Sequence, residues 1–331
     1  MYQVWSRKQG FPTGILIKPS YAKTGQLTTV DLLGFFLYIY RMKKISYSQF
    51  SLYHQCPNRW KLDYVDGLRK YEQSIHTLFG TVMHETIQSW LTVVYEKSVK
   101  ASNAMDFNTI LKEGLVNGYK QSLTEGQQHY STPQQLTEFY NDGILILDYL
   151  RKKRTAYFTT KGTKLVGCEI PLEIQVRPSI NFIGYIDLVM FDEVNKRVKI
   201  YDIKTSTSGW NKYQKGDIGK TAQLVLYKEY YAKQFDVDVE SVDVEYIILR
   251  RKLNQDLEFA PKRIQTFVPA SGKPTRNKVV KLIDNFISEC FTNEGEYRTD
   301  TKHLALKQKL CKYCPYDKDE ERCPKKQRVA L

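Results

Sequence analysis

The stretch Gly184-Tyr-Ile-Asp187-Leu-Val-Met-Phe-Asp-Glu-Val-Asn-Lys-Arg-Val-Lys-Ile-Tyr-Asp202-Ile-Lys204-Thr205 constrains this chain more than any other. Apolar and β-branched residues flank a polar turn at Val194-Asn195, the pattern of a β-hairpin. With the turn centred there, opposed residues have numbers summing to 389, and Asp187 and Asp202 meet that sum. Their Cβ atoms are expected about 4.5–5.5 Å apart on one face. Lys204, two residues beyond Asp202, shares that face. Like charges so placed destabilise a strand pair unless something positive lies between them. Ile186, Leu188, Val189, Ile200 and Ile203 imply a buried sheet, so solvent is a poor remedy.

A divalent cation removes the repulsion, and hard carboxylate oxygens suit Mg²⁺ or Mn²⁺. A lysine beside such an ion orients or activates a water, or stabilises charge developing on a phosphate. The alternative is an Asp–Lys–Asp ion-pair cluster without metal.

The pattern upstream is different. Ser46–Val65, His76–Ser98, Asp106–Leu123 and Pro133–Tyr157 carry apolar residues at three- and four-residue spacing, so residues 44–160 read as helical. Ser46 and Gln49 have the spacing of a capping box. From residue 161 to 290 the period changes. Lys164–Val176, Ile180–Asp192, Arg197–Thr205, Val242–Arg250 and Ile264–Val268 read as strands, with helices at Ile218–Phe235 and Lys273–Cys290. Helices first and then interleaved strands and helices indicate an α/β protein. Residues 1–43 lack periodicity and read as an N-terminal extension, disordered or the product of an over-extended gene start with Met42 as initiator. One main domain is expected over 44–331, closed by a cysteine-rich tail at 300–331.

Several residue sets fall into one order. Gly80-Thr-Val-Met-His84 precedes Gly184-Tyr-Ile-Asp187, then Asp202-Ile-Lys204-Thr205, then Gln223 and Tyr227 at helical i, i+4 spacing. Together they resemble the GxxxH, GxxD, DxKT and QxxxY motifs of the PD-(D/E)XK nuclease superfamily, in its RecB-type branch. The resemblance implies a restriction-endonuclease-like core with a central mixed β-sheet flanked by helices. It implies that Asp187, Asp202, His84 and the Ile203 carbonyl hold Mg²⁺ or Mn²⁺. Lys204 would be the catalytic lysine, and Gln223 and Tyr227 would position it or the substrate phosphate. Glu169, on the preceding strand, ranks behind these; the turn at Arg177–Asn181 decides which face it takes.

The cysteines are uneven. Cys311, Cys314 and Cys323 cluster within thirteen residues, as metal ligands in a reducing compartment do. Cys56, at the end of the first helix, is the candidate fourth ligand. One cysteine before the nuclease motifs and three after resembles the iron–sulphur nucleases, among them the CRISPR-associated adaptation exonucleases and AddB-type domains. That resemblance implies a 4Fe-4S cluster joining the two ends of the domain. Zinc on the same thiolates is the alternative, because the eight-residue gap before Cys323 exceeds that family's spacing. Cys168 and Cys290 read as ordinary buried thiols.

Charge agrees with an anionic partner: 50 Lys+Arg against 36 Asp+Glu leave +14. Arg151–Arg154, Arg250–Lys252 and the tail are the candidate DNA contacts, and the 24 tyrosines offer stacking surface for bases. No apolar run is long enough to span a bilayer, so a cytoplasmic protein without membrane contact is expected. Gly219-Lys220-Thr221 imitates a P-loop ending, but Gln214 stands where the motif needs glycine. It reads as a helix start, which leaves unwinding to another protein, a helicase or recombination factor. The expected function is a metal-dependent exonuclease acting on single-stranded or duplex DNA ends in repair, recombination or replication. A structure-specific endonuclease and a non-catalytic DNA-binding subunit are the alternatives.

Overall fold

A computed structural model describes residues 42–69, 73–124, 129–254, 259 and 261–330. The extension, with the question of Met42 as initiator, falls on residues 1–41, outside the described residues. Lys43 belongs to the fold: its amide donates to the Ser179 carbonyl at 2.9 Å and its ammonium lies 3.4 Å above the Tyr297 ring.

The single helix expected over Ser46–Val65 is instead a strand and a broken helix. Strand β1 (Lys43–Ser46) leads into α1 (Tyr47–Gln55), then α2 (Pro57–Trp60), which runs into a π-turn at Lys61–Val65. The break falls at Cys56, which is extended because a following proline disfavours helical backbone. Only half of the expected capping box forms. Ser46 Oγ accepts the Gln49 amide at 3.4 Å, whereas the Gln49 side chain donates to the Lys44 carbonyl.

Helices α3 (Ile75–Glu96), α4 (Val99–Asn103), α5 (Phe107–Thr124), α6 (Pro133–Lys152) and α7 (Arg154–Tyr157) follow. Next come β2 (Thr163–Arg177), β3 (Ile180–Asp192), β4 (Arg197–Ser206), α8 (Lys212–Gly216), α9 (Ile218–Phe235), β5 (Val242–Arg250), β6 (Ile264–Phe267) and α10 (Lys273–Cys290). A small ribbon of β7 (Leu306–Lys307) and β8 (Val329–Ala330) closes the tail.

The six-stranded sheet is mixed. β3 pairs antiparallel with β2 and β4 and parallel with β1; β4 pairs parallel with β5, and β5 antiparallel with β6. Helices cover both faces. One core gathers Phe50, Trp60, Ile200, Tyr246, Leu224, Tyr227 and Phe286 from α1, α2, β4, β5, α9 and α10. The other sets Phe79, Met83, Trp90, Leu111 and Leu147 of α3, α5 and α6 against Leu188, Ile203 and Ile247. This is the mixed α/β core with flanking helices that the sequence implies. Among the described residues, no helix is long and apolar enough to cross a membrane.

Candidate active site

The β3–β4 ladder runs from Asp192–Arg197 to Leu188–Tyr201, in the register whose numbers sum to 389. It stops one pair short of the two aspartates. In place of a further rung, Asp187 Oδ2 accepts the Ile203 amide at 2.7 Å, which pins this carboxylate against β4. Asp202 is 1% exposed, and Lys204 Nζ donates to its Oδ1 at 2.9 Å. The Lys204 side chain keeps 34% of its surface while its ammonium is held on the buried Asp202 carboxylate.

From the helical side, α3 brings His84, whose Nδ1 lies 3.5 Å from Asp187 Oδ2. Gly80 of the same helix faces Thr205, where a Cβ would meet Oγ1 at an ordinary contact distance of 3.5 Å. From α9, Gln223 Nε2 donates to Tyr227 Oη at 3.2 Å, so the pair shares a face as its spacing requires. Tyr227 lies against Gly184, where a Cβ would come within 3.0 Å of its ring and hydroxyl. Gly184→Ala presses Tyr227 back by a few tenths of an ångström and is expected to lower cleavage by about threefold or more, with a thermal midpoint shifted only a few degrees. Full activity in that variant would show that Tyr227 need not sit where it does.

Glu169 joins the same cleft, an open space of about 620 Å³ lined also by Tyr47, Thr81, His84, Glu85, Gln88, Asp187, Gln223 and Tyr227. A bulge near the β2–β3 turn shifts the register by one residue. Cys168 then opposes Leu188, and Ile170 opposes Ile186, which sets Glu169 level with Asp187. At that level both strands invert. Ile186 packs in one core and Leu188 in the other, although strand residues two apart ordinarily share a face. Ile170 and Cys168 divide in the same way. Glu169 takes a left-handed φ of +50° at the inversion.

The electrostatics follow from burial. It pushes Asp187 up to about 6, against the opposing Lys204 charge and Ile203 amide. Burial likewise pushes Asp202 up to about 6, with Lys204 again opposing. Burial would strip the Lys204 proton, but Asp202 and Asp187 together outweigh it and hold the ammonium. Burial and the Lys204 charge keep His84 below its ordinary value, so its ring is neutral and has a lone pair to give at neutral pH. Tyr227 is raised to about 12, chiefly by burial, and stays a phenol.

Among the described residues, no three His, Cys, Asp or Glu side chains stand close enough to cage an ion by themselves. Mg²⁺ does not need such a cage, because it takes one or two carboxylates and keeps several waters. Asp202 offers such a buried carboxylate, with Lys204 Nζ 2.9 Å from its Oδ1 and 2.8 Å from its Oδ2. Two hard carboxylates, a backbone carbonyl and a neutral imidazole form a donor set of the right chemistry.

Some of the expected basic contacts are spent within the protein, while Lys152, Lys153 and the tail lysines such as Lys309 and Lys312 stay exposed. Arg251 is buried, 2.8 Å from Asp142 Oδ2 and over the Phe139 ring, and Lys252 pairs with Glu138 and Asp142. Arg151 donates to the Met105 carbonyl and Arg154 to that of Phe158. Outside those runs, Lys212, Lys215 and Lys220, in α8 and at the start of α9, rest over Tyr213, Phe267 and Trp210. Gly219-Lys220-Thr221 opens α9, capped by Asp217, and holds no phosphate loop.

The tail returns to the start of the fold. Gln308 donates to the Gln55 carbonyl, Asn58 to the Arg322 carbonyl, and Tyr316 Oη to Asp63 at 2.7 Å. Leu62, Tyr316 and Cys323 form a small core there. Cys56, Cys311, Cys314 and Cys323 line one cavity at this junction and are all free thiols. Burial raises Cys168 to about 11 and holds Cys290 still higher, so both stay protonated away from that cavity.

Tyr47 and Gln88 also line the cleft, outside the motifs that the sequence displays. Gln88 was within reach, because Thr81, His84, Glu85 and Gln88 recur at helical spacing on one face of α3. Tyr47 was not, since its place depends on its bond to the Gly219 carbonyl across the fold.

A mixed sheet with helices on both faces and Asp187, Asp202 and Lys204 at its centre defines a restriction-endonuclease-like α/β protein. Residues 44–324 match the profile of the PD-(D/E)XK nuclease superfamily, and the chain belongs to that superfamily. No curated protein matches it. Among solved structures, it is similar to a candidate exonuclease from Eubacterium rectale, at 11% identity and a TM-score of 0.43 over 80% of this chain and 86% of that one. It is also similar to a protein designated SSO0001, at 15% identity and a TM-score of 0.28 over 78% of this chain and 91% of that one. At these values neither likeness bears on activity.

Proposed function

We propose that this nuclease is a metal-dependent exonuclease acting on DNA ends, with Asp187, Asp202, the Ile203 carbonyl and His84 holding Mg²⁺ or Mn²⁺. The observation that carries the proposal is the convergence of Asp187, Asp202, Lys204 and His84 at the end of the β3–β4 ladder, in a chain of the PD-(D/E)XK superfamily. When bound, the cation supplies Lewis acidity at the scissile phosphate and lowers the pKa of a water. The protein supplies the rest. Asp187 is fixed by the Ile203 amide, so its free oxygen is preoriented. Lys204, held charged by its two carboxylates, stabilises negative charge on the attacking water and the phosphate oxygens. Tyr227 and Gln223 hold the far wall against Gly184 and orient the phosphate. Lys212, Lys215 and Lys220 offer charge for the DNA backbone.

The test is digestion of end-labelled single-stranded and duplex DNA with Mg²⁺ or Mn²⁺, beside Asp202→Ala and Lys204→Ala. Mononucleotide release from ends, reduced at least about a hundredfold in both variants, is the expected result. Cutting of closed circles would favour an endonuclease. Undiminished activity in both variants would remove the site assignment.

The four cysteines support a 4Fe-4S cluster as the second cofactor, by their arrangement. They line one cavity, and their thiolates suit a 4Fe-4S cluster, with zinc as the alternative. Broad absorption near 400 nm after anaerobic purification is expected; colourless protein with stoichiometric zinc would decide for zinc.

A further inference from the structure

Gln88 is 8% exposed on α3, one helical turn beyond His84. Its amide nitrogen divides two hydrogen bonds, donating to Glu169 Oε1 at 2.7 Å and to the Asp187 backbone carbonyl at 3.0 Å. One buried amide thus ties together the two residues at which β2 and β3 invert. The inversion is not neutral for the backbone, since a left-handed φ costs a residue with a Cβ on the order of 1 kcal/mol. Glycine would relieve that cost, yet the position carries a glutamate whose side chain enters the cleft beside Asp187 and His84.

We infer that Glu169 is a third acid of the cation site and that Gln88 is the positioning residue that holds it there. The inference rests on the metal-dependent reading above. Too far from Asp187 and Asp202 to complete a cage of side chains, Glu169 reaches the ion through water, accepting hydrogen bonds from its hydration shell. Gln88 suits this better than lysine or glutamate. Its amide neutralises no charge and repels none, and it spends one donor hydrogen on each partner. The bond to the Asp187 carbonyl sets the spacing between the two acids, and the bond to Oε1 leaves Oε2 for water.

The experiment is calorimetric titration of the metal-free protein with Mn²⁺, without DNA, for wild type, Glu169→Gln, Gln88→Leu and the double variant, with circular dichroism melting as the check on folding. Outer partners of metal sites are worth about 10–100-fold in affinity. A loss of about tenfold is expected in each single variant, and no further loss in the double, because Gln88 acts through Glu169. A Gln88→Asn variant, whose shorter side chain misses Glu169, should behave like Gln88→Leu. Unchanged affinity in Glu169→Gln, with wild type binding Mn²⁺ normally, would overturn the inference and leave the metal reading standing. So would additive losses in the double variant, which would make Gln88 a support of Asp187 alone. Absence of Mn²⁺ binding by the wild type would overturn both.

Discussion

Asp187→Asn is expected to abolish DNA cleavage, by about a thousandfold or more, and to leave the metal-free protein at least as stable at pH 7.5 as the wild type. The asparagine carbonyl can still accept the Ile203 amide, so the bond that pins this residue survives. What disappears is a buried charge. The folded pKa of Asp187, about 6, lies above the ordinary value of 3.8. The folded state therefore holds the proton more tightly, and the stability this contributes is fully present below about pH 4. It is lost as pH rises through 6, and above that the two-unit difference amounts to roughly 3 kcal/mol. Asparagine does not titrate, so the variant escapes the loss. For the same reason Mn²⁺ should raise the wild-type melting temperature more at pH 7.5 than at pH 5, where protons compete for the carboxylates. Melting curves at both pH values, with and without Mn²⁺, read all of this. A variant that melts well below the wild type at pH 7.5, or still cuts DNA, would contradict it.

Cys314→Ser and Cys56→Ser are expected to cost the largest part of the stability and to free the tail. Cys56 and Cys311 stand 255 residues apart in the chain. On the loop-closure scale for cross-links, joining such distant points is worth about 5 kcal/mol, and more if the tail's ordering depends on it. The hydrogen bonds from Gln308, Asn58 and Tyr316 and the small Leu62–Tyr316–Cys323 core oppose the release but are few. Limited proteolysis should cut the variants between Phe291 and Lys309 while sparing the wild type. Chelation of the iron or zinc proposed for the four thiols should reproduce the effect. A tail that stays protected in both variants would mean that the protein contacts alone hold it, and the thiols would lose their structural role.

Most of the sheet was legible because its strands are long, alternating and punctuated: β3, β5, α9 and α10 fall where periodicity sets them. The hairpin register was legible too, since a turn at Val194-Asn195 leaves one pairing that buries Ile200 and Val189 together. β1 was not, because four residues carry no period and become a strand only by pairing with Ile180–Ile183. The break at Cys56 was announced by Pro57, but apolar spacing across it reads as one helix.

By itself the sequence determined that Asp187, Asp202 and Lys204 meet, because strand pairing and alternation are local rules acting over eighteen residues. It also determined that Gln223 and Tyr227 share a helix face. Only the tertiary structure decided which way Glu169 points, since that depends on a bulge at the β2–β3 turn and a joint inversion of two strands. It decided, too, that Arg251 is a buried partner of Asp142, where a run of basic residues had suggested a surface for DNA. It also brought Cys56 to Cys311, Cys314 and Cys323, because the packing of the whole domain, and no local rule, closes so long a chain separation.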